Sequence, residues 1–201
     1  MTGRCEVLGA VATAHAAWAY CALIVVLVIA AISDVRSGKI YNALTYPAIA
    51  AGLIGHTLFG GLTGQEQDIG LIGSIGGMAA GSVPMLAAWH AGASGGGDAK
   101  LMAAIGALTG WRFALATMFY GFVVAALMAL FVMVRRRIVR RTLGRIWLFL
   151  LLTSTKNKPV DPAGPDSPKI PLGLALCIGS AAALIELMVA GATGPALLPG
   201  I

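Results

Sequence analysis

Apolar runs long enough to cross a bilayer recur along this chain, and they leave little choice of fold. A helix needs about 20 consecutive apolar residues to cross a hydrocarbon core of ~30 Å. Runs near that length occupy 15–32, 43–62, 69–91, 113–134 and 170–192, and a shorter one occupies 99–109. Inside lipid the backbone N–H and C=O groups have no water to bond, so each run is expected to be helical. Only 11% of the 201 residues are charged, against about 25% in a soluble domain. The expectation is an all-α, polytopic membrane protein, with 1–201 forming a single transmembrane domain.

The first run is longer than the apolar core of a signal peptide, and only Arg4 charges the segment before it, so it reads as a retained span. Pro47 lies near the end of the second span, where a membrane helix tolerates it. Gly76, Gly77 and Gly81 in the third read as positions where helices approach closely. The run 99–109 is too short to cross comfortably, even if its helix starts at Asp98, and Gly110, Trp111 and Arg112 read as a break before the fifth span. RRRIVRRTLGRIWLFLLL then leads a dense basic run into seven apolar residues, the pattern of an interfacial helix. KNKPVDPAGPDSPKIP follows as an irregular, proline-rich linker. The stretch 135–169 is thus expected to be a cytosolic basic segment in contact with anionic lipid.

Charge sidedness sets the orientation. Nine of the fourteen Lys and Arg residues fall between Arg135 and Lys169. With six crossings and the N-terminus outside, these nine share the inner side with Arg36, Lys39 and Lys100, leaving Arg4 and Arg112 outside. That asymmetry favours six transmembrane helices. The basic excess is a topology signal, and with no recognition motif beside it nucleic acid is not an expected partner.

Of the eight acids, Glu6, Glu66, Asp68, Asp161 and Asp166 fall in tails and loops, where water solvates them. Asp34, Asp98 and Glu186 lie at or within the membrane. Asp34 closes the first span and Asp98 opens the fourth segment, so the topology brings both to the inner face. An acid at a span end is often a solvated cap, and Asp98 at a helix N-terminus also suits the macrodipole. As a pair the two carboxyls offer more. Two acids in one site do not both ionise easily. The ionised one can take a proton from water while the protonated one polarises the scissile amide. The glycines of SGGGDAK (94–100) permit positive φ and a close backbone approach, either as a plain loop or as the place where an extended peptide meets Asp98.

At these residues the chain resembles the type IV prepilin peptidases, polytopic aspartic proteases of the GxGD type. Asp34-Val-Arg-Ser-Gly-Lys-Ile-Tyr-Asn42 is similar to the family's D-x5-I-P-N motif, Gly95-Gly96-Gly97-Asp98-Ala-Lys100 to its G-x-G-D motif with a nearby lysine, and Lys169-Ile-Pro-Leu-Gly173 to its late P-[FY]-G element. The resemblance implies catalytic Asp34 and Asp98, with Asn42, Gly95, Gly97, Lys100, Pro171 and Gly173 supporting or binding substrate. It implies cleavage, at the cytosolic face of a bacterial inner membrane, of a prepilin or pseudopilin leader that ends in glycine and precedes a hydrophobic helix. Two departures stand out. Tyr41 replaces the usual proline, and the cysteine-bearing insert that accompanies N-methylation in bifunctional members is missing. A compact peptidase without methyltransferase activity, similar to those serving Flp-type pili, is therefore expected.

Other residues carry weaker signals. Glu186 reads as a functional acid or as a protonated side chain bonded between helices. His15, His56 and His90 lack ligand-type neighbours at helical spacing, so neither a metal nor another cofactor is expected. Cys21 and Cys177 read as packing residues, and Cys5 shares no metal or redox spacing with them. Lys100 either tunes Asp98 or marks the inner membrane boundary, with the boundary favoured. Two other classes fit the intramembrane acids: a non-catalytic subunit of a secretion assembly, and a small ion-coupled transporter. The sequence names neither the prepilin nor the oligomeric state.

Overall fold

The computed structural model describes residues 2–64, 69–92, 94–137, 144 and 171–193, with side chains described from 17 to 189 within those ranges. The described residues form five helices and no strand: α1 (Thr2–Ser37), α2 (Asn42–Gly60), α3 (Gly70–His90), α4 (Gly96–Arg135) and α5 (Leu172–Thr193). Each contains a segment long and apolar enough to cross a membrane. The expected basic interfacial helix and proline-rich linker lie almost wholly outside the described residues.

Large apolar side chains such as Val25, Leu58, Phe119 and Met188 point outward, while glycines bring helix backbones close around a core that includes Leu23, Met102, Leu108 and Phe113. This is how helices associate in lipid, where burying apolar surface gives no advantage and close backbone approach does. Residues 101–110, the first leg of α4, are buried throughout. Two helices grip that leg through glycine. A Cβ on Gly52 of α2 would lie 2.7 Å from the backbone of Ala107, and one on Gly81 of α3 would lie 2.5 Å from the carbonyl oxygen of Met102. A Cβ on Gly77 would run into the carbonyl oxygen of Gly106 and lie 2.7 Å from the backbone of Gly110. The interior reading of Gly77 and Gly81 holds, whereas Gly76 is exposed.

The helix α4 is not a single rod. Gly110 has φ 81° and ψ 175°, outside any helical region and close to glycine-only backbone. The Cβ position of Gly81 meets both the Met102 oxygen and, at 3.6 Å, the Cβ of Ala114. In a straight helix residues twelve apart are separated by about 18 Å along the axis. The chain therefore doubles back at Gly110, and α4 is a hairpin of two helical legs. The expected break is present, but it is confined to Gly110, with Trp111 and Arg112 already helical. The runs 99–109 and 113–134 thus become the two legs of one element.

A helix end leaves carbonyls without partners, and lipid cannot supply any. Here side chains from both neighbouring helices do so. Ser74 Oγ of α3 donates to the Ala107 oxygen at 2.6 Å, and His56 Nε2 of α2 lies 2.8 Å from the Leu108 oxygen. The second leg packs on α5 where Gly121 meets Gly179 and Leu176. Cys177 is buried, its Sγ 3.3 Å from the Leu27 oxygen of α1, as a packing residue would be.

The first helix runs five residues beyond the apolar run that ends at residue 32. Ser33 Oγ donates to the Ala30 oxygen and Ser37 Oγ to the Ser33 oxygen, which folds these polar groups back onto the helix. Gly38, at φ 60°, ends it by donating its N–H to the Asp34 oxygen, the left-handed glycine stop. The link to α2 is consequently only residues 38–41.

Candidate active site

Five helix ends meet at one end of the bundle: the C-termini of α1 and α3 and the N-termini of α2, α4 and α5. They enclose a cleft of about 1010 Å³ whose lining includes Asp34, Ile40, Gly95, Gly97, Asp98 and Pro171. Asp34 and Asp98, 64 positions apart in sequence, share this cleft, and both are largely buried at 8% and 9% exposure.

Each carboxylate is held by a backbone N–H at a helix start. Leu174 in the first turn of α5 donates to Asp34 Oδ2 at 2.9 Å. Gly95, just before α4, donates to Asp98 Oδ2 at 3.1 Å, while the Asp98 N–H bonds back to the Gly95 carbonyl at 3.1 Å. Asp98 therefore sits at the positive end of the α4 dipole, and Asp34, although in the last turn of α1, faces the positive start of α5, where negative charge is favoured. Among the described residues, the Oδ1 atom of each is free of hydrogen bonds.

Ile40 ties the three segments together. A Cβ on Gly97 would lie 3.2 Å from the Ile40 Cβ and 3.6 Å from its backbone N and O. A Cβ on Gly173 would lie 2.8 Å from Asp34 Oδ2 and 2.9 Å from Ile40 Cδ1. These glycines permit contact by lacking a side chain. None of Gly95, Gly96 and Gly97 adopts positive φ, so of the two freedoms that glycine permits here the close approach is the one used. The left-handed glycine is Gly92, at φ 75°, which turns the chain out of α3.

The supporting residues expected from sequence are placed as follows. Pro171 lines the cleft, and its carbonyl accepts the Ala175 N–H at 3.3 Å. Asn42, the first residue of α2, accepts a hydrogen bond of 2.7 Å from Lys100 Nζ. The Lys100 ammonium also lies 5.3 Å from the centroid of the Tyr46 ring. Tyr41 caps α2 at φ −78°, a value proline also adopts, and its hydroxyl donates to Ser37 Oγ at 3.2 Å. Glu186 lies outside the cleft and accepts a 2.7 Å bond from the Tyr120 hydroxyl, joining α5 to α4. The His90 ring lies 4.9 Å from the Trp89 ring, tilted by 50°. Among the described residues no three His, Cys, Asp or Glu side chains gather in a metal-binding group.

Sequence reasoning missed Leu174 and Ile40 as site builders. The acceptor of the Leu174 bond is a carboxylate 140 positions away, which no local pattern reveals. Ile40 had a signal, as the apolar residue inside the first motif.

The type IV leader peptidase family model matches residues 21–130, more than half of the chain. The chain belongs to this family. Membership makes it a protease with a leader peptidase role, of the aspartic type found in the family, and implies a prepilin-type substrate. Together with the five apolar helices, it makes this leader peptidase a multi-pass membrane protein. The matched region contains Asp34, Asn42, Gly95, Gly97, Asp98 and Lys100, whereas Pro171 and Gly173 lie beyond it. No curated protein and no solved structure matches this leader peptidase.

Proposed function

We propose that the chain is an aspartic endopeptidase that removes the leader of a prepilin or pseudopilin at the cytosolic face of a bacterial inner membrane, with Asp34 and Asp98 as the catalytic pair. The observation that carries this reading is the shared cleft, with each Oδ2 held by a backbone N–H and each Oδ1 uncommitted among the described residues. A water between the free oxygens loses a proton to the ionised carboxylate as its oxygen attacks the scissile carbonyl carbon. The protonated carboxyl gives its proton to the carbonyl oxygen, forming a neutral tetrahedral diol. Collapse of the diol breaks the C–N bond and returns a proton to the leaving amine. The exposed backbone at Gly92 and Gly95 offers an extended peptide a wall without side chains.

Sidedness rests on charge. Arg36, Lys39 and Lys100 lie on segments that end at or near the cleft, and the second leg of α4 runs back past that side to Arg135, while Arg112 stands beside the Gly110 turn. Ile69, just before α3, packs on Gly110, which puts that turn toward the opposite end. With α4 crossing twice, the count is six spans with the N-terminus outside and the cleft at the cytosol. We read the enzyme as a peptidase alone, without methyltransferase activity, that serves pilus assembly or secretion.

Co-expression with a candidate prepilin, followed by gel analysis of leader loss, tests this reading. Processing by the wild-type chain and none by Asp34→Asn or Asp98→Asn is expected. Normal processing by either variant would sink it. The non-catalytic alternative predicts assembly that depends on these residues without any cleavage. A transporter would instead lose flux in Glu186→Gln. The bond of Glu186 to Tyr120 favours a structural role for that acid.

A further inference from the structure

Lys100 follows Asp98 by two residues, which on a helix turns its side chain about 200° away. Among the described residues it makes no ion pair with Asp98. Its ammonium goes instead to Asn42 Oδ1 at 2.7 Å and over Tyr46 at 5.3 Å, both on the first turns of α2. Asn42 directly follows the four-residue link 38–41, and Asp34 lies in the last turn of α1 before that link. The link presses on α4 through Ile40 and Gly97, but that contact is apolar and carries no directional bond. A charge-assisted hydrogen bond is about twice as strong as a neutral one, and a cation over an aromatic ring adds to it.

We propose that Lys100 is a positioning residue: it latches the 38–41 link and the start of α2 onto the start of α4, and so fixes the placement of Asp34 relative to Asp98. The latch rests on the peptidase reading above for its effect on rate, but not for its effect on structure. It departs from the boundary role and from direct tuning of Asp98, because the ammonium is committed to α2. Methionine at this position would keep the apolar stem and lose both contacts. Alanine at position 42 would remove the acceptor from the other side.

The test uses the full-length protein in detergent, with hydrogen–deuterium exchange over 38–41 and cleavage of a prepilin-type peptide measured on the same samples. Lys100→Met and Asn42→Ala are each expected to raise exchange in the link. Each is also expected to lower kcat about tenfold, the scale of one lost charge-assisted bond, with KM and the shape of the pH profile unchanged. The double variant should be no worse than either single one, and Asn42→Asp, which keeps an acceptor, should retain protection and rate. Unchanged exchange in both single variants, additive losses in the double, or a pH profile moved by Lys100→Met alone would each overturn the latch. If the wild-type chain cleaves nothing, the peptidase reading fails, while the exchange data still decide the latch.

Discussion

At the scale of single residues, the site depends on atoms that are missing as much as on those present. Gly173 must lack a Cβ because Asp34 Oδ2 occupies the place 2.8 Å away. Gly173→Ala is therefore expected to displace the carboxylate or the start of α5, with a loss of kcat of about 10²-fold or more, the scale of a misplaced acid–base group. Steady-state cleavage of a peptide substrate measures it. Gly97→Ala meets Ile40 at 3.2 Å, which a small shift of the 38–41 link can relieve, so a milder loss is expected in the same assay. Activity within a few-fold of wild type in Gly173→Ala would count against the cradle. Asp34 and Asp98 could be read from the sequence as partners because each lies at a span end on the same predicted side. Their backbone donors could not, since hydrogen bonds such as Leu174 to Asp34 depend on how helix starts converge rather than on any local pattern.

At the scale of elements, the hairpin of α4 is the part with the most to lose. Gly110 holds a backbone region nearly closed to other residues, and each such strained position costs about 1–3 kcal/mol. Gly110→Ala is expected to destabilise the fold by that amount, seen as a lowered thermal midpoint in detergent. Ser74→Ala leaves the Ala107 carbonyl without its side-chain donor, and a cost of about 1–3 kcal/mol is expected in the same measurement. An unchanged midpoint in both variants would contradict the account of the turn. The position of this break was legible, because glycine followed by Trp111 and Arg112 interrupts two apolar runs. The donors that make it tolerable were less so. His56 and Ser74 are single polar residues on apolar helices, and such a pattern shows that a partner is needed without showing which. The end of α1 is hidden in the sequence for a similar reason. Its polar last turn looks like loop until Ser33 and Ser37 are seen to bond their own helix, and the stop lies at Gly38.

At the scale of the molecule, short links join α1 to α2 and α3 to α4 at the cleft, the start of α5 packs against them, and the two acids ride on that convergence. The fold class and the paired acids followed from apolar run lengths and span-end positions; the joining of the fourth and fifth runs into one hairpin did not, since run length says nothing about how tightly two legs turn. Sidedness is open to a direct check. Cysteine substitutions at Lys39 and at Arg112, in a background lacking the native cysteines, are expected to label from the cytosolic and the external side respectively. Labelling of both from one side would refute the double crossing of α4. The most direct measurement of the central claim is a cleavage time course with purified protein and a prepilin-type peptide, comparing wild type, Asp34→Asn and Asp98→Asn at matched fold. Removing either acid–base group is expected to lower the rate by about 10²- to 10⁴-fold. Loss in both variants, with the cleaved leader released only by the wild type, is the predicted result, and a wild-type rate in either variant would contradict it.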